Sequence, residues 1–296
     1  MNQYKQLFFL IYMDLETSLD RIKQIFDPIT LIPESPLILK FLLNSIKGLK
    51  DPQYIKSHDL LLEKIDANDP EHDSRQNPVL LVPGYFENPK IYYNLLDNLR
   101  EHEIKHAYWV EGYPFKSIKE NSDILSGIID DILNKLKIEK CSLIGHSLGG
   151  PIVFKTAMEF PDKINKCIAL GSPFNGTEAA DKAYEILNKF LGESGIKSLE
   201  DRGYSLAPLR EMFSGNDILK GLKLNEDVDY YSIFSENDYI VLPWHSSVIN
   251  GANNINVNKH LGLNNIGHIR MVYKKRIREV VSEILDNSID KERFIN

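Results

Sequence analysis

A Gly-x-Ser-x-Gly turn between an apolar strand and a helical segment constrains the fold of this chain most. Residues 141–144 fit a buried strand, residues 145–149 read Gly-His-Ser-Leu-Gly, and the apolar residues that follow recur at helical spacing. Glycine permits a sharp bend here because it has no Cβ to clash with the neighbouring strand or helix. The bend would project Ser147 to where a histidine can reach its hydroxyl, so Ser147 is the candidate nucleophile.

The context of this pentapeptide favours a catalytic role, although the same five residues also occur at ordinary helix starts. Ser147 follows the carboxyl end of a predicted strand, which is where open α/β sheets bind their ligands. A serine nucleophile also needs a base, and an acid that orients the base. In hydrolases with this turn, they follow in the chain order Ser, then Asp or Glu, then His.

The candidate acid follows the next well-defined strand. Residues 229–234 are rich in aromatic and β-branched side chains and end in the polar turn 235–238, which places Asp238 at the strand's carboxyl end. Asp238 could instead only close the turn, with Glu236 as the acid. The apolar triplet after Asp238 favours Asp238.

The candidate base lies just before the last amphipathic segment. Residues 254–258 are predicted to be a short strand, and residues 267–269 read Gly-His-Ile and open a helix that continues to residue 285. A lone loop histidine is often only a surface residue, and His260 and His245 compete for the role. The Gly-His-apolar junction before the helix favours His268.

The oxyanion hole requires backbone N–H groups where the substrate's carbonyl oxygen becomes negative. One candidate donor is the amide of Leu148, the residue after the nucleophile. The second is the amide of Tyr85, because residues 78–82 form an apolar strand that ends in the loop Pro83-Gly84-Tyr85. The alternative is an ordinary Pro-Gly turn.

With these elements in order, the chain resembles the α/β-hydrolase superfamily, and more narrowly its small bacterial lipases and esterases, from about residue 78 to residue 286. The resemblance depends on residues 145–149, on Leu-Gly-Ser-Pro-Phe-Asn-Gly-Thr at 170–177, and on the acid and histidine neighbourhoods at 232–241 and 267–269. It implies hydrolysis of carboxylic esters through an acyl-enzyme. Lipases of this kind usually carry His-Gly at the oxyanion loop, where this chain has Pro83-Gly84.

The order of predicted elements indicates the α/β-hydrolase fold, with a mostly parallel central sheet and helices on both faces. Residues 1–77 are expected to form a helical N-terminal arm and linker, and residues 78–296 the hydrolase domain. The simplest role of the arm is packing against its own domain. It could also cover the open sheet edge, contact a membrane surface or mediate dimerisation.

Residues 178–226 are longer than a crossover between two strands requires. Insertions at this point in the superfamily form lids or acyl-pocket walls, which predicts a mobile helical cap with an apolar acyl-binding surface. The alternative is that its apolar residues are ordinary helix cores. The residues concerned are Tyr184, Ile186, Leu187, Phe190, Leu191, Tyr204, Leu206, Leu209, Met212 and Phe213.

Composition excludes some functions. The net charge of −7, from 35 basic and 42 acidic residues, argues against nucleic-acid binding. No metal-ligand spacing or phosphate-binding glycine loop is present, so neither a metal nor a cofactor is predicted. Cys141 and Cys167 begin adjacent predicted strands and are expected to be free, buried thiols.

The apolar run at residues 7–13 is too short to span a bilayer, and no signal-peptide cleavage site follows it. A cytoplasmic location is therefore expected, with peripheral membrane contact through the arm or the cap as a further possibility.

The expected partner is a small-molecule ester or lipid, whose acyl group passes through Ser147 to water. Two alternatives remain at this point. An enzyme of the same fold could transfer the acyl group to an alcohol or amine, and a protein of this fold could bind a ligand without catalysis.

Overall fold

The computed structural model describes residues 77–294, with gaps at 86, 88, 111–114, 202 and 221–222. The predicted N-terminal arm, residues 1–77, lies outside the described residues apart from its last position. Everything below concerns the described part of the chain.

The domain is built on a parallel β-sheet. Its strands are β1 (Val79–Val82), β2 (Ala107–Trp109), β3 (Cys141–His146), β4 (Ile164–Leu170), β5 (Asp229–Phe234) and β6 (Asn253–Asn256). The described residues place them in the order β2-β1-β3-β4-β5-β6, and each neighbouring pair is parallel. The predicted parallel sheet is therefore confirmed.

Helices cover both faces of this sheet. They are α1 (Tyr93–Glu101), α2 (Ile118–Leu136), α3 (Gly149–Glu159), α4 (Glu178–Glu200), α5 (Ala207–Glu211), α6 (Val257–Leu261), α7 (Arg270–Tyr273) and α8 (Lys275–Leu285). Successive residues of a strand face opposite sides. Leu80 and Val82 accordingly join the core under α2 and α3, whereas Val79 and Leu81 join the core under α1 and α8. This arrangement confirms the predicted α/β layering.

The strand register brings the loops of the predicted site to one edge. Val82 lies opposite Gly145, His146 opposite Leu170, and Leu170 opposite Ile233. Because the strands are parallel, the loops after β1, β3, β4 and β5 all leave the sheet at this carboxyl edge. Ser147 and Asp238 both lie in these loops.

Two predicted elements differ from the structure. The helix expected to run unbroken from residue 269 to 285 is divided at Lys274, whose φ of −68° and ψ of 120° are extended. The strand expected at 254–258 ends at Asn256, because the Asn256 side chain accepts the N–H groups of Asn258 and Lys259 and caps helix α6. Local hydrogen bonding ends the strand early.

The insertion at 178–226 is helical, as predicted, and much of it packs on the domain. Leu206, Leu209 and Met212 are buried, and Tyr184 and Phe213 pack against the core under α2 and α3. Those residues are ordinary core, so the alternative interpretation holds for them. Leu191 differs, since 38% of it is exposed. It precedes a break in α4 at Gly192, where φ is 65° and ψ is 170°.

The two cysteines lie on adjacent strands as free, buried thiols, which confirms that prediction. Burial raises the pKa of both thiols.

Among the described helices, none combines the length and the apolar character needed to cross a bilayer.

A buried lysine ties β4 to the end of α8. Only 2% of Lys166 is exposed. Its Nζ donates to the carbonyl oxygens of Ile284 at 2.6 Å and Leu285 at 2.9 Å, and to Asn287 Oδ1 at 2.6 Å. Burial lowers the pKa of Lys166, but these three acceptors compensate for the loss of hydration.

We predict that Lys166→Met lowers the free energy of unfolding by about 2–3 kcal/mol, because the buried acceptors lose their charged donor. The melting temperature should fall by roughly 5–10 °C in calorimetry. Lys163→Met is the matched control, since the Lys163–Asp130 pair is partly exposed and is worth less than about 1 kcal/mol. Equal losses in the two variants would contradict the assigned role of Lys166.

Candidate active site

Ser147 stands on the predicted bend between β3 and α3. Its φ is +53°, a conformation that is uncommon for residues other than glycine and that clusters at functional sites. The bend is held because the N–H of Ser147 donates to the carbonyl oxygen of Leu170 at 3.0 Å, and the N–H of Gly150 donates to the carbonyl of Ser147 at 3.0 Å.

The glycines of the turn are required by close backbone approach. A Cβ on Gly145 would lie 2.2 Å from the carbonyl oxygen of Gly149, and a Cβ on Gly149 would lie 2.2 Å from the carbonyl oxygen of Val82. No side chain fits at either position. The turn therefore packs directly on β1 and on the start of α3, which agrees with the predicted clash with a neighbouring strand or helix.

Asp238 and His268 form a buried pair. His268 Nδ1 lies 2.8 Å from Asp238 Oδ2, and only 2% of Asp238 is exposed. The other oxygen, Oδ1, accepts the N–H groups of Ile240 at 2.8 Å and Val241 at 3.0 Å. An ionised carboxylate accepts all three bonds, which requires the proton of His268 on Nδ1 and leaves Nε2 able to accept a proton.

The competing residues lie elsewhere. Glu236 is exposed and accepts a hydrogen bond from Asn256 Nδ2 at 2.7 Å. His260 Nδ1 accepts the N–H of Asn256 at 3.1 Å, and His245 is exposed. The structure thus joins Asp238 to His268 and leaves the alternatives outside that pair.

An asparagine holds the acid turn in place. Asn258 Oδ1 accepts from Ser235 Oγ at 3.1 Å and from the N–H of Glu236 at 2.8 Å. Its Nδ2 donates to Asn237 Oδ1 at 2.6 Å. The turn before Asp238 is therefore fixed by a residue of helix α6. The sequence did not predict this role of Asn258, because an asparagine near a helix start does not indicate hydrogen bonds to a turn more than 20 residues earlier.

The 170–177 segment holds the other side of the same loop. Thr177 Oγ1 donates to the carbonyl of Ile240 and accepts the N–H of Leu242 at 3.0 Å. Ser246 Oγ donates to the carbonyl of Gly176 at 2.5 Å. These hydrogen bonds give Gly176 and Thr177 a structural role. In the sequence, this segment contributed only to the resemblance to the superfamily.

Both predicted oxyanion donors lie on segments close to Ser147. Leu148 precedes helix α3 with φ −55° and ψ −29°, and the first N–H groups of a helix have no partner within it. Tyr85 follows Gly84, where a Cβ would lie 2.7 Å from the Cβ of Ser147. The loop after β1 therefore approaches the serine as an oxyanion loop must. The donor roles of Tyr85 and Leu148 remain predictions.

His146 and Glu87 form a second buried pair that the sequence did not predict. His146 Nδ1 lies 2.6 Å from Glu87 Oε1, and its Nε2 lies 3.2 Å from the carbonyl oxygen of His268. These partners are 59 and 122 residues away in the sequence, so His146 makes long-range contacts rather than a local cap. Nothing in the local sequence indicates contacts over such separations.

Within the described residues, no three His, Cys, Asp or Glu side chains lie close enough together to hold a metal ion.

Comparison with known proteins agrees with this architecture. Residues 77–195 match a family model described as alpha/beta hydrolase fold. Epoxide hydrolase 4 of Mus musculus is 33% identical and that of Homo sapiens 32% identical, each over 107 residues that make up 33% of this chain and 29% of the relative. The matched region thus spans less than a third of these relatives.

Among solved structures, the lipase BlEst2 of Bacillus licheniformis is similar with a TM-score of 0.54 and 14% identity, over 72% of this chain and 93% of that one. This likeness concerns the fold. Together the matches confirm the predicted resemblance to the α/β-hydrolase superfamily.

Proposed function

This chain has the α/β-hydrolase fold, and on that premise we propose that it is a serine hydrolase of carboxylic esters. The observation that carries the proposal is the buried Asp238–His268 hydrogen bond of 2.8 Å, at the same sheet edge as a serine held at positive φ. A carboxylate that orients a histidine, beside a serine on a sharp bend, is the arrangement that activates a hydroxyl for acyl transfer.

In the proposed first step, His268 Nε2 takes the proton of Ser147 while Oγ attacks the ester carbonyl carbon. Asp238 holds the tautomer that makes Nε2 the acceptor and stabilises the imidazolium that forms. The amides of Tyr85 and Leu148 donate to the oxyanion of the tetrahedral intermediate. His268 then returns the proton to the departing alkoxide, and the acyl group remains on Ser147.

In the second step, His268 takes a proton from water, and the resulting hydroxide attacks the acyl-enzyme carbonyl. Collapse of the second tetrahedral intermediate releases the carboxylic acid and returns the proton to Ser147. The same residues act twice, so substitution of any one of them affects both half-reactions.

Epoxide hydrolysis is the competing reaction, because the matched curated relatives carry that name. A serine that opened an epoxide would form an ether with the substrate. The oxyanion hole gives no means of cleaving an ether, because an ether has no carbonyl carbon for water to attack. Ser147 at the bend therefore favours esters over epoxides.

The substrate class we propose is lipid-like esters, supported by the helical insertion over the domain and by the exposed Leu191 beside the break in α4. Peripheral contact of this insertion or of the N-terminal arm with a membrane surface, at a cytoplasmic location, belongs to the same proposal. The division into an arm (1–77) and a hydrolase domain (78–296) is likewise proposed.

Gly192 offers a test of the cap. Its φ of 65° and ψ of 170° lie in a region that only glycine adopts freely, and other residues there cost roughly 1–3 kcal/mol. We predict that Gly192→Ala alters the path of α4 and lowers kcat/KM for decanoyl and longer esters by about tenfold, while acetyl ester hydrolysis changes by less than about threefold.

Gly251→Ala is the matched control for this substitution. Gly251 has a φ of +85° and lies just before β6, at the opposite end of that strand from the proposed site. It should leave the ratio of long-chain to short-chain kcat/KM unchanged. A Gly192→Ala variant with the wild-type ratio would argue against a cap that contacts the acyl chain.

The reaction class is tested by hydrolysis of p-nitrophenyl esters from acetyl to palmitoyl, with a styrene epoxide as competitor substrate. We expect turnover of esters and none of the epoxide. Adding a primary alcohol or amine separates the alternatives, since an acyltransferase would release p-nitrophenol faster and form the new ester or amide. A binding protein would release none.

A further inference from the structure

The buried Glu87–His146 pair connects the two halves of the site through hydrogen bonds. Both side chains are buried, with exposures of 3% and 0%. Glu87 Oε1 lies 2.6 Å from His146 Nδ1, and Glu87 Oε2 accepts the N–H of Gly84 at 2.6 Å. His146 Nε2 lies 3.2 Å from the carbonyl oxygen of His268. A continuous chain thus runs from the loop after β1 to the backbone of the candidate base.

The positions of the protons in this chain of hydrogen bonds follow from the acceptors in it. The carbonyl of His268 can only accept, so His146 Nε2 carries a proton. One further proton lies between His146 Nδ1 and Glu87 Oε1, and the pair is neutral overall whichever atom carries it. The Gly84 N–H donates to Oε2, so both carboxyl oxygens of Glu87 accept or share a hydrogen bond.

Glu87 also closes the turn that carries Tyr85. Its own N–H donates to the carbonyl of Gly84 at 3.2 Å, and its side chain accepts the N–H of the same residue. Gly84 and Glu87 are therefore joined by two reciprocal hydrogen bonds. The amide of Tyr85 lies inside this turn, and a Cβ on Gly84 would lie 2.7 Å from that of Ser147.

On the other side, His146 supports His268. The two imidazole rings are 4.6 Å apart between centroids and tilted by 43°, and the hydrogen bond to the His268 carbonyl fixes the backbone from which that ring projects. His146 itself immediately precedes Ser147. The pair therefore contacts Gly84 in the loop after β1 and the backbone of His268, and its histidine adjoins Ser147 in the sequence.

We propose that Glu87 and His146 are positioning residues that set the oxyanion turn and His268 relative to each other. This inference depends on the proposed serine hydrolase function. Glu87 and His146 act through the hydrogen bonds that they make. Breaking these bonds displaces the Tyr85 amide and the His268 imidazole from their positions in the transition state. A displacement of about 1 Å in such groups costs on the order of 100-fold in rate.

The test compares Glu87→Gln with Glu87→Met, which match each other in length and shape. Glutamine can accept the Gly84 N–H through its oxygen and donate its amide N–H to His146 Nδ1. Both hydrogen bonds can therefore form without a charge on residue 87. Methionine breaks both bonds. We expect Glu87→Gln to keep kcat within about threefold and Glu87→Met to lose about 30- to 100-fold in kcat, with KM changed by less than about threefold.

The kcat values are normalised to sites titrated with a fluorophosphonate, so a loss of folded protein lowers the titre and not the rate per site. Glu87→Asp serves if Glu87→Met does not fold, because the shortened carboxylate cannot bridge Gly84 and His146; about a tenfold lower kcat per site is expected. Wild-type kcat per site in Glu87→Met or Glu87→Asp, or equal losses in Gln and Met, would overturn the inference. A wild type that neither titrates nor turns over would instead refute the proposed function.

Discussion

Ser147→Ala is expected to lower kcat for p-nitrophenyl esters by about 10⁴- to 10⁶-fold, which is the cost of removing a nucleophile from a triad. The hydroxyl is the only group of the proposed mechanism that forms a covalent bond to the substrate, so no neighbour replaces it. KM should change little, because the missing atom contributes mainly to the transition state. Steady-state kinetics on purified protein measures both quantities.

Ser142→Ala is the matched control for this loss. Ser142 is a buried serine on the same strand β3, and it is not at the carboxyl edge of the sheet. It should keep kcat within about threefold, as expected of a small change away from the reacting groups. If Ser147→Ala retained the wild-type rate, another residue would have to be the nucleophile.

Asp238→Asn is expected to lower kcat by about 10⁴-fold while the protein stays folded. The asparagine oxygen can still accept the N–H groups of Ile240 and Val241, so its NH₂ faces His268 Nδ1. That donor forces the proton of His268 onto Nε2, and the imidazole then cannot accept the proton of Ser147. The effect is one of tautomer, so little change in melting temperature is expected.

Glu236→Gln discriminates between the two candidate acids. Glu236 is exposed, and its carboxylate accepts a hydrogen bond from Asn256 Nδ2 at 2.7 Å. Asp238, in contrast, is buried and paired with His268. We expect the Gln variant to keep kcat within about threefold. A large loss in Glu236→Gln together with an active Asp238→Asn would show that the acid has been misassigned.

The parts of the fold that local patterns determine were predictable from sequence. Helix α2 begins where Ser117 and Glu120 form a capping box, and it ends at its C-cap Lys137, whose φ of 56° is left-handed. Strand β5 likewise coincides with its aromatic and β-branched run. The bend at Ser147 could be predicted because it requires glycines at fixed positions around the serine, and these lie within five consecutive residues.

The remainder depends on contacts between distant residues. The break at Lys274 has no proline or glycine to mark it. Thr177 reaches Ile240 across 63 residues, and Glu87 reaches His146 across 59. Such pairs form because the parallel sheet brings successive loops to one edge, and the sequence alone does not say which polar side chains then meet. The supporting groups of the candidate site were therefore missed, whereas Ser147, Asp238 and His268 each carry a local sequence signal.

The central claim, that Ser147 is a nucleophile activated by His268 and Asp238, is tested most directly by intact-protein mass spectrometry after reaction with a fluorophosphonate. The serine oxygen displaces fluoride from phosphorus, so one phosphonyl adduct per chain is predicted, located on Ser147 by peptide mapping. The adduct should be absent in Ser147→Ala and form much more slowly in Asp238→Asn. An unlabelled wild type, or an adduct that persists in Ser147→Ala, would contradict the account.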